Sequence, residues 1–392
     1  MTLPLEGITV VAIEQAVAGP LATRHLADLG ARVIKIERPD GGDFARGYDA
    51  TVRGLASWFV WLNRTKESVT LDLKRDEAQH VLERLLSRAD VFVQNLAPGA
   101  TDRMGLAAAD LRRRYPRLII CNISGYGSSG PLVDKKAYDL IIQSEVGIVS
   151  ITGTEDTPCK VGLSIADISA GMYAYSGILT ALLTREKTGE GTTVDVALLD
   201  TLGEWMGYAT YYTSYGGSPP PRTGASHATI APYGPYKTTD GTVVVAVQHG
   251  REWTRFCAQV LEQRQLADDP RFMTNASRVC HRDALTAIIE RVFSCLTSAE
   301  VIARLVNADI ANARVNSVQD FLEHPQLAAR DCWRDIESSV GPIRGLRPPV
   351  RMDGYDVAIG AVPDLGQHTQ SVLEELDFDR ETIDSWKRAG VV

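Results

Sequence analysis

A single carboxylate stands where an apolar stretch meets the start of a long apolar helix. Asp167 lies in the run Val161-Gly-Leu-Ser-Ile-Ala-Asp-Ile-Ser-Ala-Gly171, and the helix is expected over residues 168–185. Free backbone N–H groups and the positive end of the helix dipole would keep a carboxylate at this position ionised. Two interpretations stay open at this point. Asp167 is either an N-cap that stabilises the helix by ~1 kcal/mol, or a nucleophile that forms covalent acyl intermediates.

Two glycine-containing loops follow expected strands and could contact a ligand. The first is Glu14-Gln-Ala-Val-Ala-Gly-Pro20, and the second is Ser124-Gly-Tyr-Gly-Ser-Ser-Gly-Pro131. Neither loop contains the G-x-G-x-x-G pattern of dinucleotide-binding enzymes or the G-x-x-x-x-G-K-[ST] pattern of nucleoside triphosphatases, so both classes are disfavoured. The helix that begins near Pro20 still offers free N–H groups to a phosphate.

The sequence predicts neither a metal site nor a serine hydrolase. Its seven histidines form no H-x-x-x-H or H-E-x-x-H pair, and there is no G-x-S-x-G motif. The six cysteines are scattered without a C-x-x-C pair, which is typical of reduced thiols in a cytoplasmic protein.

An alternation of strands and helices must position these groups. Short runs rich in β-branched residues predict strands at 8–13, 32–36, 68–73, 90–93, 118–123 and 193–197, with helical patterns between most of them. Such alternation predicts an α/β fold in which a parallel sheet is built from right-handed crossovers.

The length of 392 residues predicts two domains, at ~100–200 residues per domain. The turn-rich link Gly216-Gly-Ser-Pro-Pro-Pro221 is the strongest boundary signal, and a hairpin around Asp240-Gly241 follows it. We therefore expect a discontinuous large domain, 1–220 with 331–392, and a small α+β domain at 225–330.

Charge and hydropathy exclude several partners. Lys and Arg number 41 against 49 Asp and Glu, a net charge of −8 without a run of five like charges, so a nucleic acid partner is not expected. No stretch approaches the ~18–20 apolar residues of a membrane span, so no membrane association is expected either. The first residues lack a signal-peptide pattern, which again predicts a cytoplasmic protein.

Seven short segments, in this order along nearly the whole chain, resemble the class III CoA-transferases of the formyl-CoA transferase and carnitine CoA-transferase type. They are Ala18-Gly-Pro20, Leu26-Ala-Asp-Leu-Gly-Ala-Arg-Val-Ile-Lys-Ile-Glu-Arg38, Leu71-Asp-Leu-Lys74, Asn95-Leu-Ala-Pro-Gly99 with Asp102-Arg-Met-Gly105, Ser124-Gly-Tyr-Gly127, Asp167-Ile-Ser-Ala-Gly-Met172 and Lys187-Thr-Gly-Glu-Gly191. The resemblance implies a Rossmann-like large domain, a smaller domain, and two subunits interlocked as linked rings in a homodimer.

The resemblance also implies site residues. Asp167 would be the catalytic nucleophile, and coenzyme A would be a substrate, with no cofactor bound permanently. The implied coenzyme A contacts are Val17, Ala18, Arg38, Leu71, Lys74, Asn95, Leu96, Ala97, Arg103, Lys136 and Tyr138. The formyl-CoA transferases carry Gln where this chain has Val17.

The implied reaction passes through an aspartyl anhydride and an aspartyl-CoA thioester, with helix N–H groups stabilising the oxyanions. Two alternatives stay open. The related α-methylacyl-CoA racemases pair the aspartate with a histidine, but the matching residue here is Tyr138, whose pKa of ~10 makes it a poor base. The third possibility is an acyl-CoA-binding protein without turnover.

The acceptor is expected to be a small carboxylic acid. The stretch from Pro221 to Tyr236 lacks the long glycine-rich lid of the formyl-CoA transferases, and its Arg222 and His227 could hold a second carboxylate. The resemblance points to succinyl-CoA as donor and to a dicarboxylate of four or five carbons, such as malate, citramalate, mesaconate or itaconate, as acceptor.

Overall fold

A computed structural model of the protein describes residues 3–392. The chain forms two compact units. The first comprises the residues up to Ile148 with Val161–Tyr208 and Arg330–Val392, and the second comprises Val149–Lys160 and Ala209–Ala329. The domains expected from the sequence, 1–220 with 331–392 and 225–330, stay a prediction. The compact units differ from them in placing 149–160 and 209–220 in the second unit.

A six-stranded parallel sheet forms the centre of the first unit. Its strands are β1 (Thr9–Ile13), β2 (Arg32–Glu37), β3 (Lys66–Thr70), β4 (Val91–Gln94), β5 (Ile119–Ser124) and β6 (Thr193–Ala197). The strand order is β3-β2-β1-β4-β5-β6, and every adjacent pair is parallel. This is the Rossmann order, in which the direction of winding reverses at β1. The α/β fold class expected from the sequence is confirmed.

Helices alternate with these strands along the chain and follow them. In the first half of the chain they are α1 (Ala18–Asp28), α2 (Ser57–Asn63), α3 (Asp76–Arg88), α4 (Ala100–Arg103), α5 (Ala108–Arg114), α6 (Asp139–Glu145), α7 (Ile148–Ile151) and α8 (Ile165–Thr188). α9 (Leu198–Trp205) and α10 (Gly207–Gly216) follow β6, and α17 (Thr369–Glu375) and α18 (Arg380–Ala389) lie near the end of the chain. None of the helices within residues 3–392 is both long and apolar enough to span a bilayer.

Two hydrophobic clusters flank the sheet. One contains residues of α1, α8 and α9, including Leu26, Ile178 and Leu202, and the other contains residues of α3, α5 and the last two helices, including Leu85 and Leu373. Side chains of adjacent strand residues alternate between the clusters, as a sheet buried on both faces requires. The sheet is thus buried on both faces, and the loops that follow its strands lie at its carboxyl edge.

A buried ionic cluster lies beneath the loops that follow β1 and β2. The Glu14 carboxylate accepts from Lys66 Nζ at 2.7 Å and lies 3.4 Å from Lys35 Nζ, which donates to Asp43 at 2.8 Å. All four side chains are fully buried. The two lysines hold the pKa of Glu14 below its ordinary value despite burial, and the two carboxylates raise that of Lys35. Burial lowers the pKa of Lys66 to about 8, so Lys35 is the more firmly charged of the two lysines in the cluster.

The second unit has its own sheet and core. Its sheet is antiparallel, with strands β7 (Tyr233–Lys237), β8 (Thr242–Ala246) and β9 (Ala311–Arg314), which confirms the expected hairpin. Its helices are α11 (Gly250–Arg255), α12 (Asn275–Cys280), α13 (Arg282–Phe293), α14 (Ser298–Asn307), α15 (Val318–Leu322) and α16 (Pro325–Ala329). Trp253, Phe256 and Phe293 are among the buried side chains of its core. In the first unit, β10 (Trp333–Ile336) and β11 (Ile343–Leu346) form a separate hairpin.

Candidate active site

The loops after β1 and β4 meet where the winding of the sheet reverses. Asn95, just after β4, accepts the Gln15 N–H on its Oδ1 at 2.8 Å and donates its Nδ2 to the Gln15 carbonyl at 2.8 Å. Ala16 has a φ of 60°, and its N–H donates to Asp43 at 3.0 Å. In open α/β sheets this crevice at the carboxyl ends of the strands is where ligands bind.

The nonpolar residues predicted to bind coenzyme A divide by burial. Val17, Ala18 and Leu71 are core residues with only 3%, 2% and 1% of their surface exposed. Leu96 is half-buried and Ala97 is exposed, both directly after β4. At this edge of the sheet the accessible residues of the two loops are thus Gln15 and Ala16 after β1, both half-buried, and Leu96 and Ala97 after β4.

Four predicted phosphate-binding cations are exposed. The Arg38 guanidinium bonds to the Gly42 carbonyl at 3.3 Å, and its closest carboxylate is 3.9 Å away on Asp40. Lys74, Arg103 and Lys136 form no ion pair with any residue in 3–392. Their charges are thus available to an anionic ligand.

Asp167 is held beside the β1 loop by close packing of α8 on α1. A Cβ at Gly171, one turn beyond Asp167, would stand 2.8 Å from the Ala18 carbonyl oxygen, so only glycine permits this approach. Ile168 packs against the cluster that contains Val17. The first turn of α8 therefore lies against the start of α1.

Asp139 and Gln143 of α6 fix the start of α8. Asp139 Oδ1 accepts the N–H groups of Ala166 at 2.8 Å and Asp167 at 3.4 Å, and its Oδ2 accepts from Gln143 Nε2 at 2.7 Å. The buried Gln143 also accepts the Val161 N–H at 2.9 Å. The carboxylate that caps the helix is thus Asp139, not Asp167.

Three expectations about Asp167 and the start of α8 are wrong for this reason. Asp167 is the third residue of α8 and not its N-cap, because the helix begins at Ile165. The N–H groups of Ala166 and Asp167 are already bound by Asp139 and cannot serve as oxyanion donors. Burial, with the Asp139 charge adding to it, raises the pKa of Asp167 to about 7 instead of keeping it low. The carboxylate is therefore poised between its two protonation states near neutral pH.

Tyr48, with 49% of its surface exposed, lies near Asp167 and is not among the residues that the sequence singled out. Burial raises the pKa of its hydroxyl to about 12, and the charges of Asp43 and Asp167 and the neighbouring Tyr138 add to this shift. Tyr48 thus stays a hydrogen-bond donor beside the Asp167 carboxylate. Tyr138 is 66% exposed. No spacing rule links residues 48, 139 and 167, so only the fold brings them together.

Arg222 and His227 lie in the second unit. The Arg222 guanidinium donates to the carbonyls of Thr154, Ser150 and Glu155 at 2.8, 3.0 and 2.5 Å, so a substrate carboxylate would have to compete with them. The exposed His227 ring stacks on Tyr233 with centroids 5.1 Å apart. Among residues 3–392 no three His, Cys, Asp or Glu side chains form a group able to hold a metal ion.

Comparisons with known proteins agree with this arrangement. The model of CoA-transferase family III matches residues 5–369. A succinate–glutarate CoA-transferase of Agrobacterium fabrum is 35% identical over 389 residues, which cover 97% of each chain. An acetyl-CoA:oxalate CoA-transferase of Acetobacter aceti is 34% identical over 355 residues, 90% of each chain.

A solved structure supports the same assignment. The crystal structure of a CAIB/BAIF family protein from Brucella suis superposes with a TM-score of 0.85 at 34% sequence identity, covering 96% of this chain and 100% of that one. The resemblance noted in the sequence is thereby confirmed. With a family match over nearly the whole chain, the protein belongs to CoA-transferase family III and is a CoA-transferase, an enzyme whose substrates are CoA thioesters.

Proposed function

We propose that the protein moves coenzyme A from an acyl-CoA donor, succinyl-CoA in our proposal, to a dicarboxylic acid of four or five carbons. The observation that carries this proposal is Asp167, a half-buried carboxylate with a pKa of about 7 beside the ligand crevice of the sheet. A carboxylate suits the exchange because its anhydride and its thioester both conserve the energy of the donor thioester.

The proposed reaction has four steps on Asp167. Its carboxylate attacks the carbonyl of the donor thioester, and loss of the CoA thiolate from the resulting tetrahedral adduct gives a mixed anhydride. The thiolate then attacks the aspartyl carbonyl, which releases the donor acid and leaves an aspartyl-CoA thioester. The acceptor carboxylate attacks that thioester, the thiolate leaves again, and a second anhydride forms. Attack of the thiolate on the acceptor carbonyl completes the new acyl-CoA and frees Asp167.

Two neighbours support these steps in the proposal. Asp139 orients the first turn of α8 through the Ala166 N–H and raises the pKa of Asp167, which makes the carboxylate a stronger nucleophile once ionised. The Tyr48 hydroxyl, protonated throughout the neutral range, is the donor we propose for the oxyanion that forms when a carbonyl is attacked.

Coenzyme A lies across the carboxyl edge of the sheet in this proposal. The backbone of Val17 and Ala18 and the residues Asn95 to Ala97 would border the crevice, and Tyr138 would lie near the pantetheine end. Arg38, Lys74, Arg103 and Lys136 would meet the phosphates, because exposed cations are suited to charge-assisted bonds with phosphate oxygens and only Arg38 among them has a nearby carboxylate, Asp40 at 3.9 Å, within residues 3–392.

We expect Lys74→Ala and Arg103→Ala each to raise the KM for the acyl-CoA donor about tenfold, the loss of one bond to a charged group. The kcat should change little, since the cations lie away from the reacting carbonyl. Steady-state kinetics with acyl-CoA and with its 3′-dephospho analogue give these KM values. Removal of a cation that binds the 3′-phosphate should raise the KM for the analogue less than the KM for acyl-CoA. Lys187→Ala, an exposed lysine at the end of α8, is the control. An unchanged KM in both variants would contradict the proposed binding of the coenzyme A phosphates by these cations.

The acceptor proposal is supported by the relatives named as succinate–glutarate and acetyl-CoA:oxalate transferases, which act on dicarboxylates. The test mixes the enzyme with succinyl-CoA and a panel containing glutarate, malate, citramalate, mesaconate, itaconate and oxalate, with acyl-CoA products separated by chromatography and mass. We expect a new acyl-CoA from at least one four- or five-carbon dicarboxylate. Failure with the whole panel, together with deuterium exchange at the α-carbon of a 2-methylacyl-CoA, would favour the racemase instead.

The pH dependence of kcat/KM should report the ionisation of the Asp167 carboxylate. Because the ionised carboxylate is the nucleophile, kcat/KM should fall as the pH drops below about 7. Asp139→Asn removes the like charge that helps to raise this pKa, so the acid limb should move to lower pH. Asp134→Asn, an exposed aspartate nearby in the chain, is the control and should leave the limb in place. If kcat/KM of the Asp139 variant falls at the same pH as that of the wild type, the Asp139 charge does not raise the pKa of Asp167.

We also propose a homodimer in the cytoplasm. The pair α9–α10 exposes Trp205, Tyr208, Tyr211 and Tyr215, the last with 86% of its surface accessible. Exposed aromatic side chains in one stretch are typical of protein interfaces. Light scattering that reports a single-chain mass at micromolar concentration would contradict the dimer.

A further inference from the structure

Three polar side chains lie side by side at the carboxyl end of the parallel sheet. Gln94 of β4, Asn122 of β5 and Asp195 of β6 are direct partners in the register of these strands, so their side chains share one face of the sheet. Phe92 and Ile120, two residues earlier on the same face, are buried in a hydrophobic cluster. The proposed reaction uses none of the three polar residues.

Hydrogen bonds join these side chains into a row that ends at a backbone N–H. Asn122 Nδ2 donates to Asp195 Oδ1 at 2.9 Å, and Gln94 Nε2 donates to Asn122 Oδ1 at 3.0 Å. Gln94 Oε1 then accepts the N–H of Leu96 at 2.9 Å. The row therefore connects β6, the edge strand of the sheet, to the loop that follows β4.

The two ends of the row select one orientation for both amide groups. A carboxylate accepts hydrogen bonds and donates none, so Asp195 turns the Nδ2 of Asn122 toward itself. The Oδ1 of Asn122 then faces the Nε2 of Gln94, which leaves Oε1 for the loop. A reversed row would place the Nε2 of Gln94 against the Leu96 N–H, and two donors would face each other. The anion and the backbone N–H thus fix the same direction.

The loop after β4 is held from two sides as a result. Asn95 bonds to the backbone N–H and carbonyl of Gln15 in the β1 loop, both at 2.8 Å. Gln94 holds the next N–H, that of Leu96, and is its one acceptor within residues 3–392. Leu96 and Ala97 are the accessible residues of this loop at the crevice. The side chain of Gln94 therefore determines how these residues are presented to a ligand.

We infer that Gln94 is a positioning residue for coenzyme A binding, held in one orientation by Asn122 and Asp195. It acts on the ligand through the Leu96 N–H, which it keeps turned toward the sheet. The inference rests on the proposed function, in which coenzyme A lies against residues 95–97, and adds to it the side chains that shape this segment.

Two substitutions of Gln94 test the inference. Gln94→Met keeps the length of the side chain and removes the acceptor of the Leu96 N–H, so the KM for acyl-CoA should rise about tenfold. Gln94→Glu keeps an acceptor for that N–H, and the KM should rise only about threefold. The kcat of both variants should stay within about twofold of wild type, because Asp167 lies on another element, α8.

The order of these two effects separates positioning from a merely structural role. Gln94 is 8% exposed, and burial of a carboxylate costs more stability than burial of a thioether. A carboxylate would also repel the anionic coenzyme A. Stability and simple charge repulsion therefore both make Gln94→Glu the worse variant. Positioning predicts the opposite order for KM, with Gln94→Met the worse, while thermal unfolding ranks Gln94→Glu as the less stable.

A second substitution at the far end of the row should repair Gln94→Glu. The new carboxylate cannot donate to Asn122, so the Asn122 amide must turn over, and its Oδ1 then meets the Asp195 carboxylate. Asp195→Asn supplies a donor there, and the double variant should return to the wild-type KM. Asp200→Asn in the same background is the matched control, because it removes an equally exposed charge five residues away and should repair nothing.

The inference is overturned by an unchanged KM in Gln94→Met, by a larger KM for Gln94→Glu than for Gln94→Met, or by equal repair from Asp195→Asn and Asp200→Asn. If Gln94→Met does not fold, Asn122→Val takes its place, because it breaks the row from the middle strand and should raise the KM in the same way.

The test stays decisive without turnover. If the wild-type enzyme transfers coenzyme A to no dicarboxylate, the proposed function fails, and the same variants are compared by calorimetric titration with free coenzyme A. A Kd raised about tenfold in Gln94→Met and less in Gln94→Glu supports the positioning role. An equal Kd in wild type and Gln94→Met overturns it.

Discussion

Asp167→Ala should lower the kcat of CoA transfer at least about 1,000-fold, equivalent to roughly 4 kcal/mol of transition-state stabilisation. The reason is that the proposed route has no second nucleophile: Tyr48 keeps its proton and Asp139 is engaged in capping α8. The measurement is the rate of new acyl-CoA formation from succinyl-CoA and a dicarboxylate. Acyl-CoA binding should persist, because Asp167 is not one of the phosphate-binding groups.

Asp200→Ala is the matched control for this change. Asp200 is the third residue of α9, as Asp167 is of α8, but its side chain is exposed. Removing it should cost only the modest interaction of a carboxylate with the helix dipole, ~0.3–1 kcal/mol of stability, and leave the rate unchanged. A residual rate above about one-tenth of wild type in the Asp167 variant would show that the carboxylate is not the nucleophile.

Lys35→Met should lower the free energy of unfolding by about 3–5 kcal/mol, because it leaves a buried charge without its partner. Lys35 Nζ donates to Asp43 at 2.8 Å and lies 3.4 Å from Glu14, and all three side chains are fully buried. This is a large part of the ~5–15 kcal/mol that stabilises a typical protein. Denaturant unfolding followed by circular dichroism gives the value.

The same change should weaken acyl-CoA binding. Asp43 accepts the N–H of Ala16, whose positive φ shapes the β1 loop at the crevice. Lys35→Met combined with Asp43→Asn removes both charges, so the double variant should be more stable than Lys35→Met alone. Lys187→Met, on the exposed end of α8, should shift stability by less than about 1 kcal/mol. Equal stabilities of the single and double variants would contradict the pairing of Lys35 with Asp43.

The parallel sheet could be predicted from periodicity because its strands are continuous β-branched runs. β6 occurs at 193–197 as expected, but β3 spans Lys66–Thr70 instead of the expected 68–73. The difference has a physical cause. Lys66 is a charged residue at a buried strand position, and its partner Glu14 is 52 residues away in the chain. Hydropathy excludes such a residue from a strand, and only the folded sheet supplies its counter-ion.

The candidate site was predictable in one part only. Asp167 and the cations follow from motifs that the family shares, whereas Asp139, Gln143 and Tyr48 depend on contacts between distant segments. The protonation of Asp167 shows what the sequence alone could not predict. A helix start predicts a low pKa, but Asp139, 28 residues earlier, occupies the N–H groups and adds its charge, so burial prevails and the pKa rises to about 7. Likewise, the sequence offered Arg222 as a carboxylate ligand, but its donors bond to three backbone carbonyls.

Trapping the covalent intermediate shows directly whether Asp167 is the nucleophile. The enzyme is mixed with succinyl-CoA without an acceptor and treated with borohydride, which reduces an aspartyl thioester or anhydride to an alcohol and so converts the aspartate to homoserine. Digestion and tandem mass spectrometry then locate the change. We expect homoserine at position 167 after incubation with acyl-CoA, and unmodified aspartate after incubation with free coenzyme A. An unmodified Asp167 in an enzyme that turns over, or homoserine at another aspartate, would contradict it.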